Sequence, residues 1–163
     1  RTIGQYFQEA GYETLVGGKW QLLGAEHYAD RFLQKGTWPR SAGFDHVCLW
    51  QVDRLGSRFW EPLLYVDGRN RRFDQDQYGP DIVTRYITDF MAAERSRPFF
   101  VYYPMILVHS PFLPTPDSES RESKDRGRKG QDLTERIVTN ITIWRIMTMA
   151  RGVVLQCRMN LFV

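Results

Sequence analysis

Residues 12–22 read Tyr12-Glu13-Thr14-Leu15-Val16-Gly17-Gly18-Lys19-Trp20-Gln21-Leu22, and this stretch decides the fold. Its first part, Thr14 to Val16, is a short apolar run that predicts a strand buried on both faces. The two glycines that follow allow the backbone to turn tightly and to approach another group closely. The stretch therefore delivers Lys19 to the carboxyl end of a strand, where open α/β sheets bind their ligands. The compact charge of a lysine suits an anion such as phosphate or sulfate.

A helix is predicted immediately before this strand, over residues 2–10. Thr2 and Gln5 have the spacing of a capping box, and Gly11 suits the left-handed position that ends a helix. A helix followed at once by a buried strand is the second half of a βαβ unit, and it implies a parallel strand before Arg1. The predicted buried face of the helix contains Ile3, Tyr6, Phe7 and Ala10.

The alternation of helix and strand recurs further along the chain. Residues 80–94 carry apolar side chains on one helical face, and residues 99–103 lack the polar alternation of a half-exposed strand. Residues 47–50 are predicted to form another buried strand. Residues 63–66 precede Asp67-Gly68, which is a strong signal for a hairpin turn. The predicted fold class is α/β, with part of a mostly parallel sheet flanked by helices.

Composition and charge limit the partners of this chain. It has 42% hydrophobic and 25% charged residues, and its net charge is +3 with acidic residues spread among the basic ones. That distribution lacks the basic face of a nucleic-acid binder, so no nucleic-acid partner is expected. Arginines interrupt the apolar residues of 137–163, which leaves far fewer than the roughly 20 uncharged residues of a membrane helix. We therefore expect no membrane partner.

The cysteines and acidic residues predict neither a disulfide framework nor a metal site. Cys48 and Cys157 are too few and too far apart for a disulfide framework, and Cys48 is predicted to be a small core residue. Residues 74–79 begin like a calcium loop, but Arg85 occupies the position where that loop needs a bidentate glutamate. No metal ligand is assigned within this chain.

Several motifs of this sequence resemble the sulfatase family. The family pattern Ala-Gly-Tyr-x-Thr followed by Gly-Lys-Trp-His-Leu-Gly is similar to residues 10–14 and 18–24 here, with Gln21 in place of the histidine and one additional leucine. The Gly-Phe-Asp that often follows the lysine motif is similar to residues 43–45. In the family, an Arg-Pro-Phe-Phe strand and then a histidine shortly before a proline follow these motifs. Residues 97–100 and 109–111 of this sequence resemble them.

The resemblance implies an incomplete sulfatase catalytic domain that hydrolyses sulfate esters. By that resemblance Lys19 contacts the sulfate group, and His109 binds or protonates the leaving oxygen. Gln21 occupies the position of a histidine that assists sulfate release, but an amide cannot take up a proton at neutral pH. The family also implies a calcium ion, a sulfated small molecule or carbohydrate as substrate, and a periplasmic or extracellular location.

The nucleophile that the family requires has no counterpart in this sequence. Sulfatases use a formylglycine made from a Cys/Ser-x-Pro/Ala-x-Arg motif, and neither Cys48 nor Cys157 begins such a motif. An Asp-Asp pair for the metal is absent as well. We therefore interpret residues 1–118 as a partial catalytic domain, inactive as it stands, and residues 119–163 as a linker and a divergent or frameshifted tail.

Two other functions stay open at this point. One is a non-catalytic module or pseudoenzyme that binds sulfated glycans through Lys19 and the basic residues of the segment 121–129. The other is a fragment of a related metal-dependent phosphoesterase, which the Gly-Lys-Trp motif disfavours.

Overall fold

A six-stranded sheet runs through the described part of the chain, which in this computed structural model comprises residues 1–107, 115–116 and the backbone of 152–157. The strand order is β4-β3-β2-β1-β5-β6. The elements in chain order are α1 (Ile3–Glu9), β1 (Glu13–Lys19), β2 (His46–Trp50), β3 (Leu63–Val66), β4 (Arg69–Arg72), α2 (Gly79–Ala92), β5 (Phe99–Pro104) and β6 (Gly152–Cys157).

The centre of the sheet is parallel and its β4 side is antiparallel. β1 pairs in parallel with β2 and with β5, and β5 pairs in parallel with β6. β2, β3 and β4 form antiparallel pairs, and both residues of the Asp67-Gly68 turn have positive φ. Two positive φ values are typical of the tight hairpin turns that match strand twist. The predicted α/β class and the predicted hairpin are both confirmed.

Buried side chains cover both faces of the parallel strands. Leu15 and Cys48 face the apolar cluster that also contains Val83 and Ile87 of α2, whereas Val16 belongs to the cluster on the opposite face. Because side chains on both faces are buried, the central positions of β1 and β2 lack the polar alternation of a half-exposed strand. Cys48 is fully buried, and burial raises the pKa of its thiol to about 12. Its predicted role as a core residue is confirmed.

Helix α1 begins as predicted but buries only part of its predicted face. Both halves of the capping box between Thr2 and Gln5 are present. Phe7 packs against the core as predicted, whereas Ile3 and Tyr6 are 45% and 58% exposed, which contradicts the prediction for them. The helix approaches the loop before β2 through Gly4, where an added Cβ would lie 2.5 Å from the carbonyl oxygen of Ala42. Such a close approach is a tertiary contact that hydrophobic spacing does not reveal.

Strand β1 also continues further than predicted. Gly17 and Gly18 do not end the strand but lie within it, and Lys19 is its last residue. A Cβ on Gly17 would lie 2.9 Å from the side chain of Ile87, and one on Gly18 would lie 2.0 Å from the carbonyl oxygen of Pro104. The predicted close approach of the backbone is therefore confirmed: β1 approaches helix α2 at Gly17 and the end of β5 at Gly18.

The outer strands differ in character. All four residues of β4 are exposed, and three of them are arginines. β6 lies within residues 119–163, the segment interpreted as a linker and tail, and the boundary at residue 118 stays a prediction. None of the helices in the described residues is long and apolar enough to span a membrane.

Asp45 joins α1, β1 and β2 at the amino edge of the sheet. Its carboxylate accepts hydrogen bonds from the backbone N–H of Thr14, at 3.1 Å, and from the amide of Gln8, at 2.7 Å. Burial on its own would raise the pKa of Asp45, but these bonds and the nearby His46 outweigh burial and lower it. The Gly-Phe-Asp motif therefore has a structural role here.

We predict that Gly18→Ala destabilises the chain by about 3 kcal/mol or more, because Gly18 has a φ of +121° and a Cβ would overlap the Pro104 carbonyl. Gly11→Ala is the matched control: Gly11 has a φ of +84° with nothing within 4 Å of an added Cβ. We expect that change to cost about 1 kcal/mol. Urea denaturation measures both, and equal losses would contradict the prediction.

We predict that the free energy of unfolding falls less steeply with decreasing pH in Asp45→Asn than in wild type. The folded-state pKa of Asp45 lies below its ordinary value of 3.8, so at acid pH the unfolded chain binds more protons and stability falls. This contribution is present above the ordinary pKa and disappears as pH falls through the lowered value. Denaturation midpoints measured from pH 7 down to acid pH test it, with Asp30→Asn in an exposed turn as control. An acid decline as steep as wild type in Asp45→Asn would disprove the assignment.

Candidate anion site

Lys19 lies at the carboxyl edge of the parallel strands. It ends β1, and its Cα partner in the sheet is Trp50, the last residue of β2. The ammonium nitrogen lies 5.8 Å from the centre of the Trp50 ring, and the side chain is partly buried. The four ion pairs between described residues do not include Lys19. Its charge is therefore presented at the strand end, as the sequence predicts.

Arg58 brings a second positive charge to the same tryptophan. Its guanidinium carbon lies 4.8 Å from the centre of the Trp50 ring and 5.2 Å from that of Phe59. The Trp50 indole N–H donates a 2.8 Å hydrogen bond to the carbonyl of Gly56, which restrains the orientation of the ring. No sequence motif indicates Arg58, because only the loop after β2 returns it to this edge.

The two cations influence each other electrostatically. Partial burial lowers the pKa of Lys19, and the positive charge of Arg58 lowers it further. Burial also lowers the pKa of Arg58. Removing part of the hydration shell from a charge raises its free energy, and a second like charge adds to that cost. An anion bound near Lys19 would offset the cost to that lysine, so the environment of Lys19 favours an anionic neighbour.

Gln21 follows Lys19 by two residues and belongs to a chain of hydrogen-bonded polar side chains. The pairing of β1 with β2 continues past the strands, and the backbone N–H of Gln21 donates to the carbonyl of Gln51. The side-chain amide of Gln21 donates to Oε1 of Gln51 at 2.7 Å, and the Gln51 amide lies 3.0 Å from Nε2 of His27. With the Gln51 amide as donor, Nε2 of His27 is the acceptor.

This chain of side chains holds Gln21 in an unusual conformation. Gln21 and Gln51 both have positive φ, at 52° and 62°, and Gln51 is 3% exposed. A buried amide requires hydrogen-bond partners, and here Gln21 and His27 provide them. The amide nitrogen of Gln21 is thus directed at Gln51. The predicted contact of Gln21 with a substrate stays a prediction, and no motif in the sequence indicates Gln51 or His27.

His109 lies outside the described residues. β5 runs parallel to β1 and ends at Pro104, so the chain leaves the sheet at the edge where Lys19 lies. The described residues continue to Leu107. The role of His109 and its placement beside Lys19 therefore stay predictions.

The described residues do not provide a calcium site. They contain no group of three or more His, Cys, Asp or Glu side chains that could hold a metal ion. Several carboxylates are already engaged: Asp67 accepts the Tyr86 hydroxyl at 2.7 Å, and Asp53 accepts the Asn70 amide at 3.0 Å. The donor set that the family implies for calcium does not fit this part of the chain.

The fold and the edge together define an open α/β domain with Lys19 at the carboxyl edge of its parallel strands. More specifically, the chain belongs to the sulfatase family, because the model of that family matches residues 1–156. A curated relative is the N-acetylglucosamine-6-O-sulfatase of Bacteroides thetaiotaomicron, which is 24% identical over 117 residues. That alignment covers 71% of this chain and 18% of the relative.

Solved structures support the same fold. One, described as a complex with its substrate D-glucosamine-2-N,6-O-disulfate, has a TM-score of 0.55 and 22% identity over 76% of this chain and 22% of its own. Another, from work on the metabolism of multiple glycosaminoglycans by Bacteroides thetaiotaomicron, has a TM-score of 0.64 and 14% identity. It covers 94% of this chain and 40% of its own. The chain thus spans about a fifth to two fifths of these relatives' length.

We predict that Arg58→Gln raises the pKa of Lys19, because it removes a like charge that disfavours the protonated amine. NMR titration of the chain with isotope-labelled lysine measures this pKa directly. Arg71→Gln is the matched control, since Arg71 also lies against an aromatic ring, Phe73, but sits on the edge strand β4. An unchanged Lys19 titration in Arg58→Gln would show that the two charges do not interact.

Proposed function

We propose that this chain forms part of the catalytic domain of a sulfatase that hydrolyses sulfate esters of carbohydrates. The observation that carries this proposal is the position of Lys19: a partly buried cation at the carboxyl edge of the sheet, within the Gly-Lys-Trp motif of a sulfatase-family chain. The carbohydrate substrate is supported by the curated relative, which is described as a sulfatase of N-acetylglucosamine.

In this proposal different residues of the chain bind the sulfate group and transfer the proton. Lys19 contacts the sulfate oxygens and offsets their charge, which is the electrostatic assistance that such reactions need. His109 provides the proton for the leaving sugar oxygen. Gln21 can donate hydrogen bonds beside the sulfate but cannot act as a base.

The remaining parts of the reaction are assigned to residues elsewhere in the protein. The formylglycine motif is not in this sequence, so we propose that the chain is inactive as it stands. A calcium ion, when present, would neutralise charge on the sulfate oxygens. Its ligands would have to come from outside the described residues. We further propose a periplasmic or extracellular location, as is usual for the family.

The test measures binding rather than turnover, using calorimetric titration of the chain with glucosamine 6-sulfate. Lys19→Gln should weaken binding by roughly tenfold, because it removes a charge-assisted contact. Lys35→Gln, at an exposed loop position, is the control and should bind like wild type. Folding of each variant is checked by circular dichroism.

Two results would disprove the proposal. If folded Lys19→Gln binds the sulfated sugar as tightly as wild type, Lys19 is not the sulfate contact. If the chain binds glucosamine 6-phosphate more tightly than the 6-sulfate, the related phosphoesterase becomes the better assignment.

A further inference from the structure

The geometry points to His27 as a positioning residue, and we propose that its protonation turns the Gln21 amide towards a bound sulfate by acting through Gln51. These three side chains are joined by hydrogen bonds and are called the amide relay below. The inference rests on the proposed function, because Gln21 has a sulfate to contact only if the sulfated sugar binds at this edge of the sheet. His27 thereby gives the site a response to pH that an amide alone cannot supply.

The direction of each hydrogen bond in the relay follows from the chemistry of its groups. A glutamine amide nitrogen can only donate, so the Gln51 nitrogen, 3.0 Å from Nε2 of His27, requires that Nε2 carry no proton. Oε1 of Gln51 then accepts the 2.7 Å hydrogen bond from the Gln21 amide. The relay in this arrangement therefore belongs to neutral His27, with the ring proton on Nδ1.

In this state the Gln21 amide is turned the wrong way for a sulfate. Its nitrogen is directed at Gln51, which leaves its carbonyl oxygen as the amide atom that can meet a ligand. A carbonyl oxygen only accepts hydrogen bonds, and so do the oxygens of a sulfate monoester. Gln21 can offer both of its N–H groups to a sulfate only when its oxygen, rather than its nitrogen, faces Gln51.

Protonation of His27 produces this reversal without the loss of a hydrogen bond. Nε2 takes up a proton from solvent and becomes a donor, so the Gln51 amide makes a half-turn and offers Oε1 to it. The Gln51 nitrogen then faces Gln21, whose amide makes the same half-turn and accepts through its own oxygen. The terminal torsion of a glutamine is broad and roughly two-fold, so neither half-turn requires the rest of the side chain to move.

The relay can transmit this change because its middle residue is buried and its backbone is held. Gln51 is 3% exposed, so water has little access to it and an amide facing the wrong way would lack partners. The backbone N–H of Gln21 donates to the carbonyl of Gln51, and both residues have positive φ. Such uncommon backbone conformations persist where the surrounding structure fixes them. Rotation of the two amides is therefore the response that remains.

The groups around His27 leave its Nε2 to the relay. The ring of Tyr28 lies against the imidazole, with ring centroids 4.3 Å apart. The two loops also contain the carboxylates of Glu26 and Asp53, and a backbone hydrogen bond joins these two residues. Both carboxylates are already engaged, since Glu26 accepts a backbone N–H and Asp53 accepts a side-chain amide. His27 itself is exposed, so it can exchange protons with solvent.

The first experiment reads the tautomer of His27 in the whole chain without any ligand. The chain has three histidines, so the ¹⁵N ring signals of His27 are identified by comparison with His27→Asn. At pH 8 we expect the ring proton on Nδ1, because the Gln51 amide donates to Nε2. Gln51→Met keeps a similar side-chain volume without the amide, and it should abolish this preference. A proton on Nε2 in wild type at pH 8 would overturn the inference.

The second experiment measures the affinity of the whole chain for N-acetylglucosamine 6-sulfate by calorimetry at pH 5 and pH 8. The charge of this ligand is the same at both values, whereas a histidine gains its charge between them. Wild type should bind roughly fivefold more tightly at pH 5, which is about the effect of one additional hydrogen bond. Gln51→Met and His27→Asn should each bind with equal affinity at the two pH values.

Two further variants test the relay from its ends. Gln21→Met, at an exposed position, should remove the pH dependence but keep the Nδ1–H tautomer of His27, and it decides the question if Gln51→Met fails to fold. His46→Asn is the matched control, because His46 begins β2 at the opposite edge of the sheet and pairs with Glu13. It should keep the fivefold difference. Circular dichroism checks the folding of each variant.

The outcomes separate this inference from the proposed function. Equal wild-type affinity at the two pH values would overturn the relay and leave the sulfatase proposal standing. A pH dependence that Gln51→Met retains in full, or that His46→Asn removes, would assign the effect to another titrating group and would overturn the relay as well. Absence of binding at both pH values would overturn the proposed function, and the role of the relay in sulfate binding with it.

Discussion

The close approach of β1 to its neighbours at Gly17 and Gly18 is the constraint on which this structure depends. One glycine leaves room for Ile87 of α2, and the other leaves room for the backbone of Pro104 at the end of β5. Side chains at these positions would separate the helix from the sheet and β1 from β5. The same two positions lie immediately before Lys19, so the packing that holds the sheet together also fixes the cation at its edge. Stability and the anion site therefore depend on the same few atoms.

The anion site itself is built by pairing rather than by a single loop. β1 supplies Lys19 and β2 supplies Trp50, and the register of the two parallel strands places these residues opposite each other. The backbone pairing then extends to Gln21 and Gln51, which carries their side-chain amides to the same edge. A charged side chain and neutral hydrogen-bonding side chains therefore lie at the same edge of the sheet.

Features that depend on neighbouring residues could be predicted from the sequence, and those that depend on distant contacts could not. The capping box at Thr2 and the turn at Asp67-Gly68 are local, and both are present. The apolar run predicts the strand that carries Lys19. The resemblance to the family motifs then implies a ligand-binding role for that lysine. The spacing of apolar residues in α1 predicts the core contact of Phe7 correctly but not the exposure of Ile3 and Tyr6, because Gly4 packs on Ala42, which is distant in sequence. Arg58 and Gln51 were missed for the same reason, since strand pairing and a loop bring them to the site.

The arginine-rich strand β4 has a consequence for how copies of this chain behave in solution. An outer strand offers unpaired backbone groups to any other strand, and the charges of Arg69, Arg71 and Arg72 oppose such an encounter between identical molecules. This protection is electrostatic, so dissolved salt weakens it over a screening length of about 8 Å at physiological ionic strength. Self-association through this edge should therefore respond to ionic strength, and low-salt buffers should keep the molecules apart.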